Sequence, residues 1–452
     1  MLTQRLDELR RVPVVPVSLR PKVKFRTNPP VDRPFDETDE DEPTELASGE
    51  TSPADAVAVN DFGLKLFQKV RGDTTGNFTF SPASASSMLA LAFPGAANET
   101  EAALLQLLAP DLDRTAAIER LSRWRRGLVA SRPPIGATDT SGGNSGLRSK
   151  FARQSASRLL LANRIWTDTM CPTEPDWAAT MKEQFASEIG QFDFGDVDGA
   201  VKEINDWGRK ATRGRIPEIV DKEFLKTRGV FDGRTAFLLA SALSLRAEWD
   251  SPFEKHKTVR ANFHAPGLLQ KVEMMHQLNQ SSYAHLDGFK ALEMSLGSGR
   301  WSMLFLLPDR KDANLDDLER QISLEFLAKV EKESERREVR IFLPRFRIES
   351  TLELTNALES LGIGPALSLR DADFSRMTNA PVYIDKVRQK TFLNVDEIGM
   401  EVAVATLGGA GFGGGFRDPN LEFRADHPFV YLLRDRSSGT IVMIGRFVGP
   451  DE

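Results

Sequence analysis

The sequence predicts an α+β fold built around a mixed β-sheet. Strand-like apolar runs recur at 159–166, 235–245, 291–296, 301–307, 339–343, 382–395 and 431–447. Helical apolar periods separate some of them, without the regular βαβ alternation of a doubly wound parallel sheet. Composition agrees: 40% of the 452 residues are apolar and 27% charged, ordinary globular usage that excludes a mostly disordered, collagen-like or disulfide-built chain. The single cysteine, Cys171, permits no internal disulfide, so the core alone must hold the fold. The longest nearly apolar run, 235–245, is about half of the roughly 20 residues a membrane-spanning helix needs. A net charge of −6 argues against nucleic-acid binding over the whole surface.

Residues 1–54 read as a disordered extension. The first 12 carry charges where a secretory signal is apolar. A proline-punctuated basic stretch then runs to Arg33, and an acidic run from Asp36 to Glu45 follows. The globular pattern starts at Ala56, where Val57, Phe62, Leu64, Leu66, Phe67 and Val70 form the apolar face of an opening helix. Asn77-Phe78-Thr79-Phe80 reads as a short strand. Ser81 then suits a helix N-cap and Pro82 its first turn. An arginine-rich helix covers 115–130, and the Gly/Ser/Pro-rich stretch 132–157 reads as a surface insertion.

No catalytic constellation is visible. None of the five histidines stands at a metal-ligand spacing, and Cys171 has no partner cysteine, so no zinc site is expected. Gly143-Asn144-Ser145-Gly146 lacks the strand–turn–helix context that exposes a nucleophilic serine. Gly409–Gly414 matches a dinucleotide fingerprint, yet Phe416-Arg417-Asp418-Pro419 cannot open the helix that would hold the pyrophosphate. No cofactor is expected.

Residues 382–407 hold the most informative pattern. Alternation through 382–395 breaks at Asp396-Glu397-Ile398-Gly399 and then resumes. Met400, Val402, Val404 and Thr406 share one face; Glu401, Ala403, Ala405 and Leu407 share the other. The first face has no charge and no proline, so it suits burial in a sheet while Glu401 stays outward. Six glycines follow within residues 407–415. A strand-competent segment joined to such a loop suits insertion as a new strand; an ordinary edge strand leaving a sheet is the other reading.

With these residues the chain resembles the serpin family, over about 56–452. Asn77-Phe78-Thr79-Phe80-Ser81-Pro82 with Ser84 resembles the family's strand-to-helix start, and Ile204-Asn205-Asp206-Trp207 with Thr212, Gly214 and Ile216 its next element. Trp249-Asp250-Ser251-Pro252-Phe253, Val272-Glu273-Met274-Met275, Leu306-Leu307-Pro308, Leu343-Pro344-Arg345-Phe346, Leu361-Gly362 and Asp373-Phe374-Ser375 follow in family order. Residues 396–406 resemble the family hinge, and Asp426-His427-Pro428-Phe429 and Gly445-Arg446 its close. The resemblance implies one α+β domain from 55 to 452, with three β-sheets, about nine helices and an exposed reactive loop within 397–424. It also implies a monomeric inhibitor of serine proteases, not an enzyme, acting as a suicide substrate whose hinge inserts into the main sheet. Extracellular residence is the family's commonest implication; the missing signal makes cytoplasmic the alternative.

The implied hinge is Glu397, Gly399, Met400, Glu401, Val402, Ala403, Val404, Ala405 and Thr406. Its Met400, Val402 and Val404 are larger than the family's usual small residues, which favours as alternative a non-inhibitory binding or carrier protein. Ser241 stands where the family has Asn and Gln389 where it has His, so a rewired network with Ser81, Ser84 and Trp249 is expected under the main sheet. Counting from Glu397 puts the scissile bond at Phe412-Gly413-Gly414; counting back from Pro428 puts it at Arg417, with Phe416 beside it. Phe412 suits a chymotrypsin-like protease, Arg417 a trypsin-like one. Arg120, Arg123, Arg125, Arg126 and Arg132 would supply a heparin-like polyanion site, or else a solvated helix face.

Overall fold

The computed structural model describes residues 52–129, 158–225 apart from 213 and 215, 237–400 and 421–451. Helix α1 (Pro53–Val70) opens on a capping box between Ser52 and Asp55. It buries Phe62, Leu64, Leu66, Phe67 and Val70, but Val57, expected on the same face, is 54% exposed. The short strand β1 (Phe78–Phe80) leads into helix α2 (Pro82–Ala92), whose N-cap Ser81 accepts a hydrogen bond from the Ser84 N–H. Every residue of α2 is buried, so it lies inside the molecule. Helices α3 (Asn98–Leu108) and α4 (Arg114–Val129) pack around it.

Six strands form the main sheet, in the order β10 (Phe346–Glu353), β11 (Arg388–Val395), β12 (Gly399–Met400), β4 (Phe237–Glu248), β2 (Arg158–Asp168) and β3 (Glu188–Phe192). Helix α5 (Pro175–Glu183) joins β2 to β3. The inner face of the sheet rests on the large core that includes α1 and α2. A second, smaller core lies on the outer face, where helix α6 (Val197–Ala211) and the short helix α7 (Lys222–Leu225) meet Trp166, Leu238 and Ala240. The remaining strands form two sheets that share the long strand β6 (Leu268–Leu286). One joins β6 to β5 (Val259–Ala265) and β9 (Glu335–Pro344), and β9 to β13 (Glu422–Arg424). The other runs from β6 through β7 (Phe289–Leu296), β8 (Trp301–Pro308), β14 (Phe429–Asp435) and β15 (Thr440–Phe447) to β1. The architecture is α+β with three sheets, as expected.

Two expected strands differ. The run 382–395 is a strand only from Arg388, because its ladder partner β10 ends at Glu353 opposite Arg388. Before that point the chain docks by single hydrogen bonds, such as Ile384 N–H to the Ala366 carbonyl. The run 431–447 is two strands, β14 and β15, folded back at Gly439 with φ +70°. The expected leader, the insertion at 132–157, hinge residues 401–406 and the loop candidates lie outside the described residues, residue 52 onward of the leader excepted.

Candidate functional site

The residues the sequence singles out converge on the seam between β11 and β4. After Val395 the chain makes a tight turn in which the Asp396 side chain accepts from the Ile398 N–H (2.9 Å) and the Gly399 N–H (3.2 Å). Trp249, fully buried, grips that turn: its backbone N–H donates to the Ile398 carbonyl (2.8 Å) and its indole N–H to the Asp396 carbonyl (2.9 Å). Gly399 and Met400 then form β12, with Met400 opposite Val395 on one side and Ala247 on the other. Gly399 is required here, because a Cβ would collide with the Ala247 carbonyl oxygen. Met400 is 2% exposed, so the first hinge side chain already belongs to the core.

Glu397 anchors the turn. It is 1% exposed, accepts from the Arg345 guanidinium (Nε at 2.8 Å to both oxygens) and from the Thr258 hydroxyl. Its carbonyl accepts from the Phe253 N–H at 2.8 Å. Burial alone would raise the Glu397 pKa; the hydrogen bonds from Arg345 and Thr258 outweigh it and hold the carboxyl below the usual range. Asp396 next to it is shifted upward by burial. Sequence reasoning missed Arg345 as the partner of Glu397. It stands within Leu343-Pro344-Arg345-Phe346, but nothing in a linear motif says which distant acid it will meet.

Beyond β12 the described residues place no strand in the seam. Among the described residues no backbone ladder joins β11 directly to β4; the two halves of the sheet are linked only through Gly399 and Met400. At the far end lies a small apolar cleft of about 30 Å³, lined by Met88, Leu89, Phe224, Leu225, Phe237 and Val387 among others. Under the middle of the seam sits the polar cluster. The Gln389 side chain brackets Ser81, accepting from its N–H (2.7 Å) and donating to its carbonyl (2.9 Å). The Ser81 hydroxyl donates to the Val442 carbonyl (2.7 Å), and the Ser84 hydroxyl donates to that of Ser241 (2.7 Å). Gln389 thus satisfies backbone groups, while Ser84 and Ser241 pair with each other.

The arginines of α4 are more engaged than a free basic face would be. Arg125 is corrected out of the exposed set: it is 3% exposed, donates to the Ser87 hydroxyl (3.2 Å), and burial pulls its pKa down to about 10. Its place in the helix turns it inward beside buried Trp124 and Leu128. Arg123 forks onto Asp55 at 2.8 and 3.1 Å, and Arg120 reaches Asp111 at 3.4 Å. Arg126 is half-buried, and Arg132 lies outside the described residues. Among the described residues no group of three or more His, Cys, Asp or Glu side chains could hold a metal ion, and no helix is long and apolar enough to cross a membrane.

Comparison with known proteins agrees with this architecture. The mouse (Mus musculus) protein leukocyte elastase inhibitor A is 31% identical over 400 residues, 86% of this chain and 97% of the relative. The structure of thyroxine-binding globulin in complex with thyroxine superposes with a TM-score of 0.70 at 22% identity, covering 88% of this chain and 99% of that one. Native protease nexin-1 with heparin gives 0.73 at 20% identity, covering 88% and 100%. The family model for serpins, described as serine protease inhibitors, matches residues 57–450. On the family model and the identity to the mouse relative, the chain belongs to the serpin family.

Proposed function

We propose that this protein inhibits a serine-type endopeptidase as a suicide substrate, with the cleaved loop trapping the protease by entering the main sheet. The protease's serine oxygen adds to the scissile carbonyl, the peptide C–N bond breaks, and the departing amine takes the serine's proton by way of the protease's histidine. The acyl-enzyme is held while the hinge slides into the seam. One observation carries this reading: Gly399 and Met400 already lie as a strand between β11 and β4, at the head of a seam that nothing else closes among the described residues.

The register supports it further. Each residue forward in the loop would step one residue back along β4 from Ala247 and along β11 from Val395. Val402 and Val404 would then face the core as Met400 does, and Thr406 would fall between Ser241 and Gln389. Its hydroxyl would enter a buried row that is polar on both sides. Insertion would also satisfy the open edges of both strands and bury the uncharged face of the hinge. The scissile bond is placed after Phe412 for a chymotrypsin-like target, with Gly413, Phe416 and Arg417 as the other candidates, Arg417 for a trypsin-like one.

The experiment mixes the protein with chymotrypsin, trypsin and subtilisin and looks for a complex that survives denaturing electrophoresis. A covalent band with one of them is the expected result; cleavage of the loop without any complex sinks the inhibitory reading. That second outcome favours a binding or carrier protein, the reading supported by the bulk of Met400, Val402 and Val404 and by the fold shared with thyroxine-binding globulin. A contact with a heparin-like polyanion is proposed through Arg120, Arg123 and Arg126, supported by their clustering on α4 and by the fold shared with heparin-bound protease nexin-1.

A further inference from the structure

An open cleft of about 440 Å³ stands where β10 begins and β11 ends, lined by Lys255, Arg345, Arg347, Asn394, Asp396 and Glu397 among others. The acids of this cleft already have partners. Glu397 is 1% exposed and accepts from Arg345 and Thr258, and the Asp396 carboxylate accepts from the Ile398 and Gly399 N–H groups. The cationic side keeps donors available. Among the described residues the side chains of Lys255 and Asn394 have no hydrogen-bond partner. Arg345 reaches Glu397 through Nε and Nη2, which leaves its Nη1, and Arg347 gives one nitrogen to Glu349. Solvent entering the cleft therefore meets an excess of positive donors. Their starting points are fixed by the backbone: Arg345 N–H donates to the Glu273 carbonyl (2.8 Å), Thr258 N–H to the Lys255 carbonyl (3.2 Å), and Arg347 stands opposite Asn394 in the β10–β11 ladder. The Arg347 guanidinium also lies 4.9 Å from the centre of the Phe392 ring, which limits its swing.

We propose that this cleft binds a diphosphate group through Lys255, Arg345 and Arg347, with the Asn394 amide as a further donor. Arg345 and Arg347 stand two residues apart, about 6–7 Å in extended chain, so one tetrahedral anion cannot meet both forks face on. Two linked phosphoryl groups can. Guanidinium forks match phosphate oxygens in pairs, and the Lys255 ammonium adds a compact charge beside them. The competing carboxylate is Glu349, whose pair with Arg347 is exposed on both sides, 60% and 59%, and is therefore displaced at little cost. Arg345 need not leave Glu397 to take part, because its Nη1 is enough for one further contact. Binding here is independent of protease inhibition.

The test titrates the full chain with inorganic pyrophosphate by calorimetry, at an ionic strength held constant with sodium chloride. One ion per chain should bind, and it should protect amides within 253–258 and 394–399 from deuterium exchange. Lys255→Gln with Arg347→Gln changes two exposed side chains and should leave the melting temperature without ligand as it is. Affinity should fall roughly tenfold or more for each cation removed, since each supplies a charge-assisted contact. As a control, Lys202→Gln removes an exposed cation of α6 and should bind as the unsubstituted chain does. ADP forms the second arm. Equal affinity for ADP supports the diphosphate group wherever it is carried, and binding of pyrophosphate without ADP supports the free inorganic ion. Equal affinity for single phosphate overturns the assignment to a diphosphate. Undiminished affinity in the double variant, or protection confined to α4, overturns the site, as does the absence of any heat at millimolar pyrophosphate.

Discussion

Single residues decide whether the hinge is held and whether it can enter. Glu397 is the first. Its carboxyl is held below the usual glutamate value of 4.5, so the stability it contributes is present above that value and is lost as pH falls through the lower folded-state pKa. Glu397→Gln should therefore cost about 1–3 kcal/mol at neutral pH, discounted because the Arg345 side chain is 42% exposed. The melting temperatures of variant and unsubstituted chain should converge on acidification; a gap that persists at acid pH would mean the charge is not what matters. Val402 tests entry. Val402→Arg should leave the loop cleavable but abolish the covalent band, because an unpaired guanidinium on the core face of a sheet is costly. An undiminished band for that variant would falsify insertion as the trapping step.

At the scale of elements, the sequence was most readable where one face of an element is buried and the other wet. The opening helix follows its period apart from exposed Val57, whereas β10, whose residues alternate buried and exposed, escaped reading as a strand because its exposed positions break any apolar run. Strand β6 escaped periodic reading beyond Val272–Met275, because its 19 residues serve two sheets and change environment along their length. The turn at 396–399 and the resumed strand at Met400 were legible from the break in alternation, while hinge residues 401–406 lie outside the described residues. The partnership of Glu397 with Arg345 was not, since 52 residues separate them and only folding sets the pairing. Helix α4 shows the converse failure: five arginines look like one surface, yet helical geometry turns Arg125 inward and gives Arg123 to Asp55. A polyanion contact through the remainder predicts retention on heparin that weakens with salt, each ionic contact adding about one to the logarithmic slope. Arg120→Ala with Arg126→Ala should flatten that slope by about two. Elution of the unsubstituted protein at low salt removes the contact.

For the whole molecule, the proposed insertion would draw its free energy from the seam between β11 and β4. Among the described residues, two strands of the main sheet run side by side along most of their length without a ladder between them, above an apolar cleft and a row of serine and glutamine side chains. Intact, the loop is tethered at both ends, to Met400 in β12 and to β13 in another sheet, and its length limits how far it enters. Cutting it anywhere within 407–417 frees the hinge end. About ten residues could then ladder on both sides at a net of about 1 kcal/mol per residue, before the entropy of ordering them is subtracted. For a chain of this size each kcal/mol that survives that subtraction is worth about 1–2 °C, extrapolating from smaller domains, so the cleaved form should melt measurably above the intact one. Limited proteolysis confined to the loop, followed by calorimetry of both forms, measures this directly. Equal melting temperatures would mean that the seam does not accept the loop, and the carrier reading would then account better for the chain. The size of any increase is informative as well. Gly408 and Ala410, continuing the core face beyond Thr406, would bring little apolar surface to the residues that line the cleft, so the gain should grow in a cleaved Ala410→Leu variant if insertion reaches that far and the parted strands make room for it.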